Sequence, residues 1–553
     1  MTSSYNWKDS IVYQVYPRSF KDSNSDGIGD IRGIISKIPY LSDLGINVIW
    51  LSPVYASPND DNGYDISDYY NIDPTFGSME DMEELIAVSK EFGIKILMDL
   101  VVNHTSDEHE WFKEAKKDKN SKYHDYYIWS KDNKRPNDWR SFFSGSVWEF
   151  NRDTDQYYLH LFSKKQPDLN WENMELRQEI YKMMRWWLDK GIGGFRMDVC
   201  NLYSKPDLYS NPKGERDIEG LIFAPDYYAN NEGIHDIIAE MNREVFSKYE
   251  CLTVGENVEV TPDEAIKYVG LDREELNMVF HFELVSLSTK NNSEIKRVLK
   301  NWLPVINNGG WNSNYLSNHD NPRQVSVFGN DREYLAQSAT LLGTMNFTLP
   351  GTPYIYQGEE IGMTNMLFES FDQFNDIETK NGIKILQKEG RSDDYILDYF
   401  AKKSRDNSRT PVQWSSESFS GFSDTKPWLD VNPNYKELNI EDQLNMENSI
   451  LSYYKNLIRL RKEFDVFVYG DCHFVLEDKE ELIAYKRTYK NQELLVLLNR
   501  SDSETQFNIP KELWNSFNNN TQLDNYGFLG KSKSLTYSHN MVLKPWQSLI
   551  FIK

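Results

Sequence analysis

Apolar residues in this chain gather into short runs ended by Gly, Asn or Asp: 11–15, 47–51, 94–102, 195–199, 252–255, 278–282, 315–317 and 354–356. Runs of this length between turn formers predict buried strands. Between them the apolar spacing changes to three and four, as at Leu176, Ile180, Met183, Trp187 and Leu188 before Lys190-Gly191, which predicts an amphipathic helix. Strands alternating with helices predict parallel βα units in the α/β class, and eight strands favour a closed (β/α)8 TIM barrel over an open sheet.

Two intervals are longer than a single crossover needs. The first, 105–173, is crowded with Tyr, Trp, Lys and Asp and predicts a subdomain inserted after strand 3. The second, about 360–450, contains SSESFSGFSDTKPW and predicts a lid-like insertion over the mouth of the barrel. The barrel itself would comprise 1–104 and 174–469. Beyond the amphipathic stretch 450–462 the pattern becomes one of short alternating runs, such as Glu481–Tyr485, split by Asn, Ser, Asp and Gly clusters. This predicts a C-terminal antiparallel β domain over 470–553.

Composition narrows the possible partners. With 61 Lys plus Arg against 85 Asp plus Glu, the net charge of −24 repels phosphate backbones and anionic headgroups. Nucleic acid and membrane surfaces are therefore not expected as partners, and nothing points to an obligate protein partner. The three cysteines, Cys200, Cys251 and Cys472, are too far apart in sequence for a CxxC pair and too few for a disulfide framework. The N-terminus MTSSYNWKDSIVYQVYPRSF lacks the features of a secretory signal, and no run of about 18 apolar residues occurs. The chain reads as cytoplasmic. Its 14% aromatic content suits stacking on sugar rings, although large cores also use aromatics.

The chemistry lies where polar residues interrupt the apolar runs. Asp99 and His104 fall in and after the third run, Arg196 and Asp198 in the fourth, Glu256 after the fifth, and His319-Asp320 after the seventh. In a (β/α)8 barrel these strand ends converge on one face. Arg196 shares a strand face with Asp198 and can keep it ionised. An ionised carboxylate facing a protonated one suits glycosidic bond cleavage, with a third carboxylate stabilising positive charge. Neighbouring negative charge would raise the pKa of Glu256, which makes it the candidate acid. The competing readings are ordinary caps and salt bridges, or a noncatalytic sugar-binding or scaffold barrel.

The segments DLVVNH (99–104), GFRMDV (194–199), TVGE (253–256), NHD (318–320), QPDLNW (166–171), DGIGDIRGI (26–34) and GTPYIYQGEEIGM (351–363) resemble the α-amylase superfamily, glycoside hydrolase family 13, and within it the oligo-1,6-glucosidase group. WLSPVYASPNDDNGYDISDY (50–69) and SRDNSRTPVQW (404–414) extend the likeness over nearly the whole chain. The resemblance implies a retaining hydrolase with Asp198 as nucleophile, Glu256 as general acid and base, and Asp320 as transition-state stabiliser. It also implies that Tyr64, Asp65, His104, Arg196, His319 and Arg405 bind a terminal glucose, with an Asp65–Arg405 pair closing the pocket so that the enzyme is exo-acting. Val199, after the nucleophile, accompanies α-1,6 preference in this group, so isomaltose-type substrates lead.

Three features depart from the group. NVEV follows Glu256, the segment 283–302 is shortened, and NHDNPR resembles sucrose isomerases. The stretch ELVSLSTKNN (283–292) lacks the arginines that hold fructose in those isomerases, which favours hydrolysis. Sucrose stays open as a substrate. Trehalose-6-phosphate hydrolases share the pattern but need a cationic site, against which the net negative charge argues. No organic cofactor is implied.

One further loop has ligand spacing. Asp22, Asn24, Asp26 and Asp30 supply side-chain oxygens at loop positions one, three, five and nine, with the Ile28 carbonyl at seven. This suits Ca²⁺, or Mg²⁺ with more waters, although Gly33 replaces the bidentate Glu of an EF-hand. The resemblance implies a structural calcium here, bracing the first βα loop.

Overall fold

The computed structural model describes residues 6–517, 521–530 and 539–553. The start of the N-terminal segment and two stretches of the expected C-terminal domain, 518–520 and 531–538, lie outside the described residues. Eight parallel strands follow one another: β1 (Val12–Val15), β2 (Val48–Leu51), β3 (Lys95–Leu100), β4 (Gly194–Met197), β5 (Leu252–Glu256), β6 (Met278–Phe280), β7 (Ser313–Asn314) and β8 (Thr352–Tyr356). Their order is β6-β5-β4-β3-β2-β1-β8-β7, and a parallel bridge between Val279 and Asn312 joins the two ends into a closed barrel. The helices that follow each strand are α1 (Ile31–Leu44), α2 (Met79–Glu91), α3 (Met174–Asp189), α4 (Gly233–Glu244), α5 (Pro262–Val269), α6 (Asn292–Asn307), α7 (Leu335–Thr348) and α8 (Ile450–Glu463).

The alternation of side chains along each strand builds two cores. Val12, Val48, Trp50, Leu97, Val254, Met278, Phe280 and Tyr354 fill the barrel interior, while Tyr13, Ile49, Ile96, Met98, Phe195 and Ile355 pack outward in the core that also takes in the helices. The inward row continues upward as Asp99 two residues after Leu97 and Glu256 two after Val254. The register sets Asp99 beside Arg196 and Arg196 beside Val254. Polar groups thus occupy the C-terminal layer of an apolar cylinder. Gly194 is required where β4 passes β5, since a Cβ there would lie 1.9 Å from the Leu252 carbonyl oxygen.

The seventh strand is displaced from its expected place. The apolar run 315–317 lies beyond β7, and Tyr315 instead fills the barrel interior while its hydroxyl donates to the His281 carbonyl. Strand pairing here is carried by the small polar residues Ser313 and Asn314, which carry no apolar signal.

Between β3 and α3 the chain forms a short helix (Glu110–Ala115) and a hairpin (Trp148–Asn151 with Gln156–Leu159). Between β8 and α8, helices Ile377–Lys388 and Asp393–Lys403 pack around Phe368, Phe374, Ile396 and Phe400. They reach the first insertion through Asn381, which donates to the Phe143 carbonyl at 3.0 Å. After α8, β9 (His473–Phe474), β10 (Leu482–Tyr489), β11 (Gln492–Asn499), β12 (Thr521–Asp524) and β13 (Ser548–Ile552) form an antiparallel sheet in the order β9-β10-β11-β13-β12. Helix α7 is buried along almost its whole length, and Thr348 hydrogen-bonds Tyr485 of β10 at 2.6 Å.

The loop 22–30 winds through successive Asx turns. Asp22 Oδ1 accepts from the amides of Asn24 and Ser25, Asn24 Oδ1 from Asp26, and Asp26 Oδ1 from Ile28. Asp30 accepts from Ser23 and, as the N-cap of α1, from the Gly33 amide. The segment 415–428 braces this loop through Ser423, which donates to Asp22 Oδ2. Among the described residues no three His, Cys, Asp or Glu side chains gather as a metal-ligating group, and no helix is long and apolar enough to cross a membrane.

Candidate active site

The C-terminal face of the barrel opens into a pocket enclosing about 1110 Å³, part of it open to solvent. Asp198, Glu256 and Asp320 all line it, together with Tyr64, His104, Val199, His319 and Arg405. Arg196 lies beneath, 1% exposed, with its guanidinium 5.0 Å from the Trp50 ring centroid.

One guanidinium organises the acids. Arg196 Nη1 donates to Asp99 Oδ1 and to Asp198 Oδ1, each at 2.7 Å, and Nη2 meets Glu256 Oε2 at 2.7 Å. Asp99 also accepts from Trp50 Nε1 at 3.0 Å and from the Tyr64 hydroxyl at 2.9 Å. Three carboxyl groups around one cation leave surplus negative charge, so the group as a whole favours holding a proton. Burial pushes Asp198 well above the usual carboxylate range; Arg196 pulls it down, and repulsion from Glu256 and Asp99 adds to the rise. Glu256 is raised by burial as well, with Arg196 opposing and Asp320 adding to the rise.

Val199 immediately follows the Asp198 carboxylate with φ 35° and ψ 45°, a left-handed conformation that β-branched residues rarely adopt. Strain of this kind costs roughly 1–3 kcal/mol and survives only where the surroundings impose it. Here the turn aims the Val199 amide at Glu256 Oε2, 3.1 Å away. Glu256 Oε2 therefore has two donors, which leaves Oε1 as the oxygen on which a proton serves the pocket.

Asp320 behaves oppositely. His319 meets its Oδ2 at 3.0 Å, and Arg405 and Arg409 meet its Oδ1 at 3.1 and 3.0 Å. Burial alone would raise its pKa, but these groups outweigh that and hold it well below the usual range. Burial lowers His319 to about 3, so the ring is neutral. Gln14 Nε2 donates to its Nδ1 at 2.8 Å, which places the ring proton on Nε2, facing Asp320. The Tyr64 ring stacks on His319 with centroids 5.2 Å apart. His104, lowered to about 4 by burial, contacts the Tyr64 carbonyl and Gln166.

The inner end of the pocket requires a correction. Arg405 does not pair with Asp65. It reaches Asp61 at 3.3 Å, Asp320 at 3.1 Å and Asp376 at 2.6 Å, and lies 5.1 Å over the Phe143 ring. Asp65 is wholly buried and turned away, accepting from the amides of Asp60 and Asp61 and from Ser57. Burial raises it to about 7. The loop reverses through positive φ at Asn59, Asn62 and Gly63, so counting along NDDNGYD cannot tell which Asp faces inward. Asp61, Asp376, Glu378 and Arg409 carried no periodic signal; Asp376 and Glu378 reach the site only because the second insertion folds across it.

This barrel with a carboxylate-lined mouth belongs to a known class: the alpha-amylase catalytic-domain model matches residues 14–470, and the chain is a member of that family. An oligo-1,6-glucosidase of Bacillus cereus is 48% identical over 99% of both chains. Among solved structures, trehalose-6-phosphate hydrolase of Bacillus licheniformis superposes with a TM-score of 0.92 at 44% identity, covering 99% of both chains. An isomaltulose synthase mutant of Erwinia rhapontici, in complex with sucrose, superposes at 0.93 with 40% identity over 99% of this chain and 98% of that one.

Exchange of Asp61 and of Asp65 should separate their roles. Asp61→Ala is expected to lower kcat/KM for a terminal glucoside by about 10²-fold with the melting temperature little changed, because it removes a positioning contact. Asp65→Ala, which leaves two loop amides without acceptors, should lower the melting temperature. Equal kinetic and thermal responses in the two variants would contradict this division.

Proposed function

We propose that this chain is a retaining, exo-acting α-glucosidase that releases terminal glucose from short oligosaccharides, with preference for α-1,6 linkages of the isomaltose type. The observation that carries the proposal is the pairing of Asp198 and Glu256 through Arg196 beside a pocket whose inner end is closed by Arg405, Asp61 and Asp320. A closed inner end admits a chain terminus and stops a chain from threading through. The 48% identity to an oligo-1,6-glucosidase and Val199 at the aglycone side support the linkage preference. One branched side chain there can shift selectivity by about 1–3 kcal/mol.

In the proposed reaction the one proton retained by the acid cluster lies on Glu256. Asp198, ionised against Arg196, attacks the anomeric carbon as Glu256 gives that proton to the departing glycosidic oxygen, forming a β-glucosyl ester. Glu256, now a carboxylate, takes a proton from water. The water oxygen bonds to the anomeric carbon, the ester bond breaks, and Asp198 leaves as a carboxylate with glucose in its original α configuration. Asp320, held ionised by His319, Arg405 and Arg409, stabilises the positive charge that develops on the sugar. Tyr64, His104, His319 and Arg405 would hold the terminal glucose.

A phosphorylated disaccharide is disfavoured by the lining. Asp61, Asp198, Glu256, Glu259, Asp320 and Glu378 face the pocket against Arg405 as its one charged base among the described lining residues. A phosphate dianion would meet repulsion there. Hydrolysis of isomaltose, maltose, sucrose, trehalose and trehalose 6-phosphate, with products resolved by chromatography, tests the assignment. Isomaltose should be cleaved fastest, to glucose alone. Asp198→Ala and Glu256→Gln should each abolish turnover, and the raised pKa of Glu256 should carry activity of the wild type above the range of an ordinary carboxylic acid before it falls. Preferred cleavage of trehalose 6-phosphate, rearrangement of sucrose, or near wild-type turnover in either variant would overturn the proposal.

A second proposal concerns the loop 22–30: a bound Ca²⁺ held by Asp22, Asn24, Asp26, Asp30 and the Ile28 carbonyl. The ligand spacing supports it, and Asn24 Oδ1 and Asp26 Oδ1, which each accept a single loop amide, keep a further lone pair. Excess Ca²⁺ should raise the melting temperature over that in EDTA, and Asp26→Ala should remove the increment; identical melting in both media would overturn it. A cytoplasmic location is proposed as well, supported by three unpaired cysteines.

A further inference from the structure

NVEV (257–260), the stretch after Glu256 that departs from the group pattern, forms the turn from β5 to α5, and its Val258 and Glu259 line the catalytic pocket. Within this turn Glu259 has φ 51°, a left-handed conformation that favours glycine. Its neighbours impose the turn. Asn201 Oδ1 accepts from the Val258 amide at 3.1 Å, and Asn201 Nδ2 donates to the Val258 carbonyl at 2.7 Å. Asn230 Nδ2 donates to the Val258 and Glu259 carbonyls at 3.2 and 3.4 Å. Because Asn201 lies three residues after Asp198, this clamp fixes the turn against the segment that carries Asp198.

Among the described lining residues six are acids, and five of them meet an arginine. Asp198 and Glu256 meet Arg196, while Asp61, Asp320 and Glu378 meet Arg405. Glu259 meets none: its carboxylate has neither an ion pair nor a hydrogen bond among the described residues. It is also exposed, whereas Asp61, Asp198 and Glu256 are buried. The pocket thus runs from a buried inner end, past Glu256, to a rim that holds Glu259. Strain of the kind seen at Glu259 persists where the surroundings impose it, and glycine would follow the same backbone at lower cost. What the glutamate adds over glycine here is a free carboxylate at the open end of the pocket.

We propose that Glu259 is a specificity-determining residue that reads the aglycone, accepting hydrogen bonds from the hydroxyls of a sugar bound beyond the scissile bond. The inference rests on the α-glucosidase reading of the pocket. In that reading Glu256 protonates the glycosidic oxygen and the inner end is closed, so the leaving group lies on the outer side of Glu256, toward Glu259. Hydrogen bonds from hydroxyls to a carboxylate are shorter and stronger than those between neutral groups. An aryl leaving group has no hydroxyl to offer, and it rests on the apolar surface of Val258 and Phe282 whether or not the carboxylate is present. The class selected is therefore a glucoside whose leaving group is itself a sugar, over aryl glucosides.

The test compares kcat/KM for the disaccharide that the wild type cleaves best with kcat/KM for 4-nitrophenyl α-glucoside, in the wild type, Glu259→Gln and Glu259→Gly. Each variant should lose at least about tenfold on the disaccharide, mainly through KM, and no more than about threefold on the aryl glucoside. Inhibition by free glucose should keep its strength, since glucose occupies the inner end. Glu259→Gly, which the left-handed backbone accepts without strain, keeps the test open should the amide variant fail to fold. An unmoved ratio of the two glucosides, or equal losses on both, in a folded variant would overturn the inference while leaving the α-glucosidase reading in place. A wild type inactive on every glucoside would overturn both.

Discussion

The guanidinium of Arg196 is the constraint on which the site is built. Two carboxyl groups on separate strands and one just beyond a third meet within an apolar cylinder, where an isolated charge would be strongly disfavoured. One cation can neutralise one of them. The fork geometry of arginine lets a single side chain bond to all three, in fixed relative positions, without neutralising the set. The surplus charge favours retention of a proton, and in the proposed reaction that proton is the one given to the leaving group. The left-handed turn at Val199 belongs to the same device, since it spends backbone strain to place a second donor on Glu256.

A second cation sets the shape of the pocket. Arg405 comes from the segment between β8 and α8 and bonds to acids from the β2 loop, the β7 loop and its own insertion. The two long insertions meet across the barrel mouth, where Arg405 lies over the Phe143 ring and Asn381 donates to the Phe143 carbonyl. The contrast between Asp320, held ionised by three partners, and Glu256, raised by burial, gives neighbouring carboxyl groups different states at one pH.

The parts of this arrangement carried by period-two alternation were legible in the sequence. Asp99, Arg196, Asp198 and Glu256 interrupt or end apolar runs, and strand geometry then dictates which face they share. The β7 strand was not legible, because Ser313 and Asn314 carry no apolar signal, while the apolar residues Tyr315 and Leu316 lie beyond the paired residues, one in the barrel interior and one in the outer core. Asp61 and Asp65 could not be separated, because the loop that holds them follows no period and its reversal is set by positive φ at three residues. Asp376, Glu378 and Arg409 lie too far along the chain from their partners for any local pattern to connect them.

The most direct test of the account is the pH–rate profile of Arg196→Lys, which keeps the charge and removes the fork. The account predicts a folded protein whose kcat/KM is at least about 10²-fold lower, with its alkaline limb displaced as the carboxyl cluster loses its shared donor. A variant that hydrolyses within about threefold of the wild-type rate, with an unmoved profile, would contradict a role for the guanidinium beyond plain charge balance.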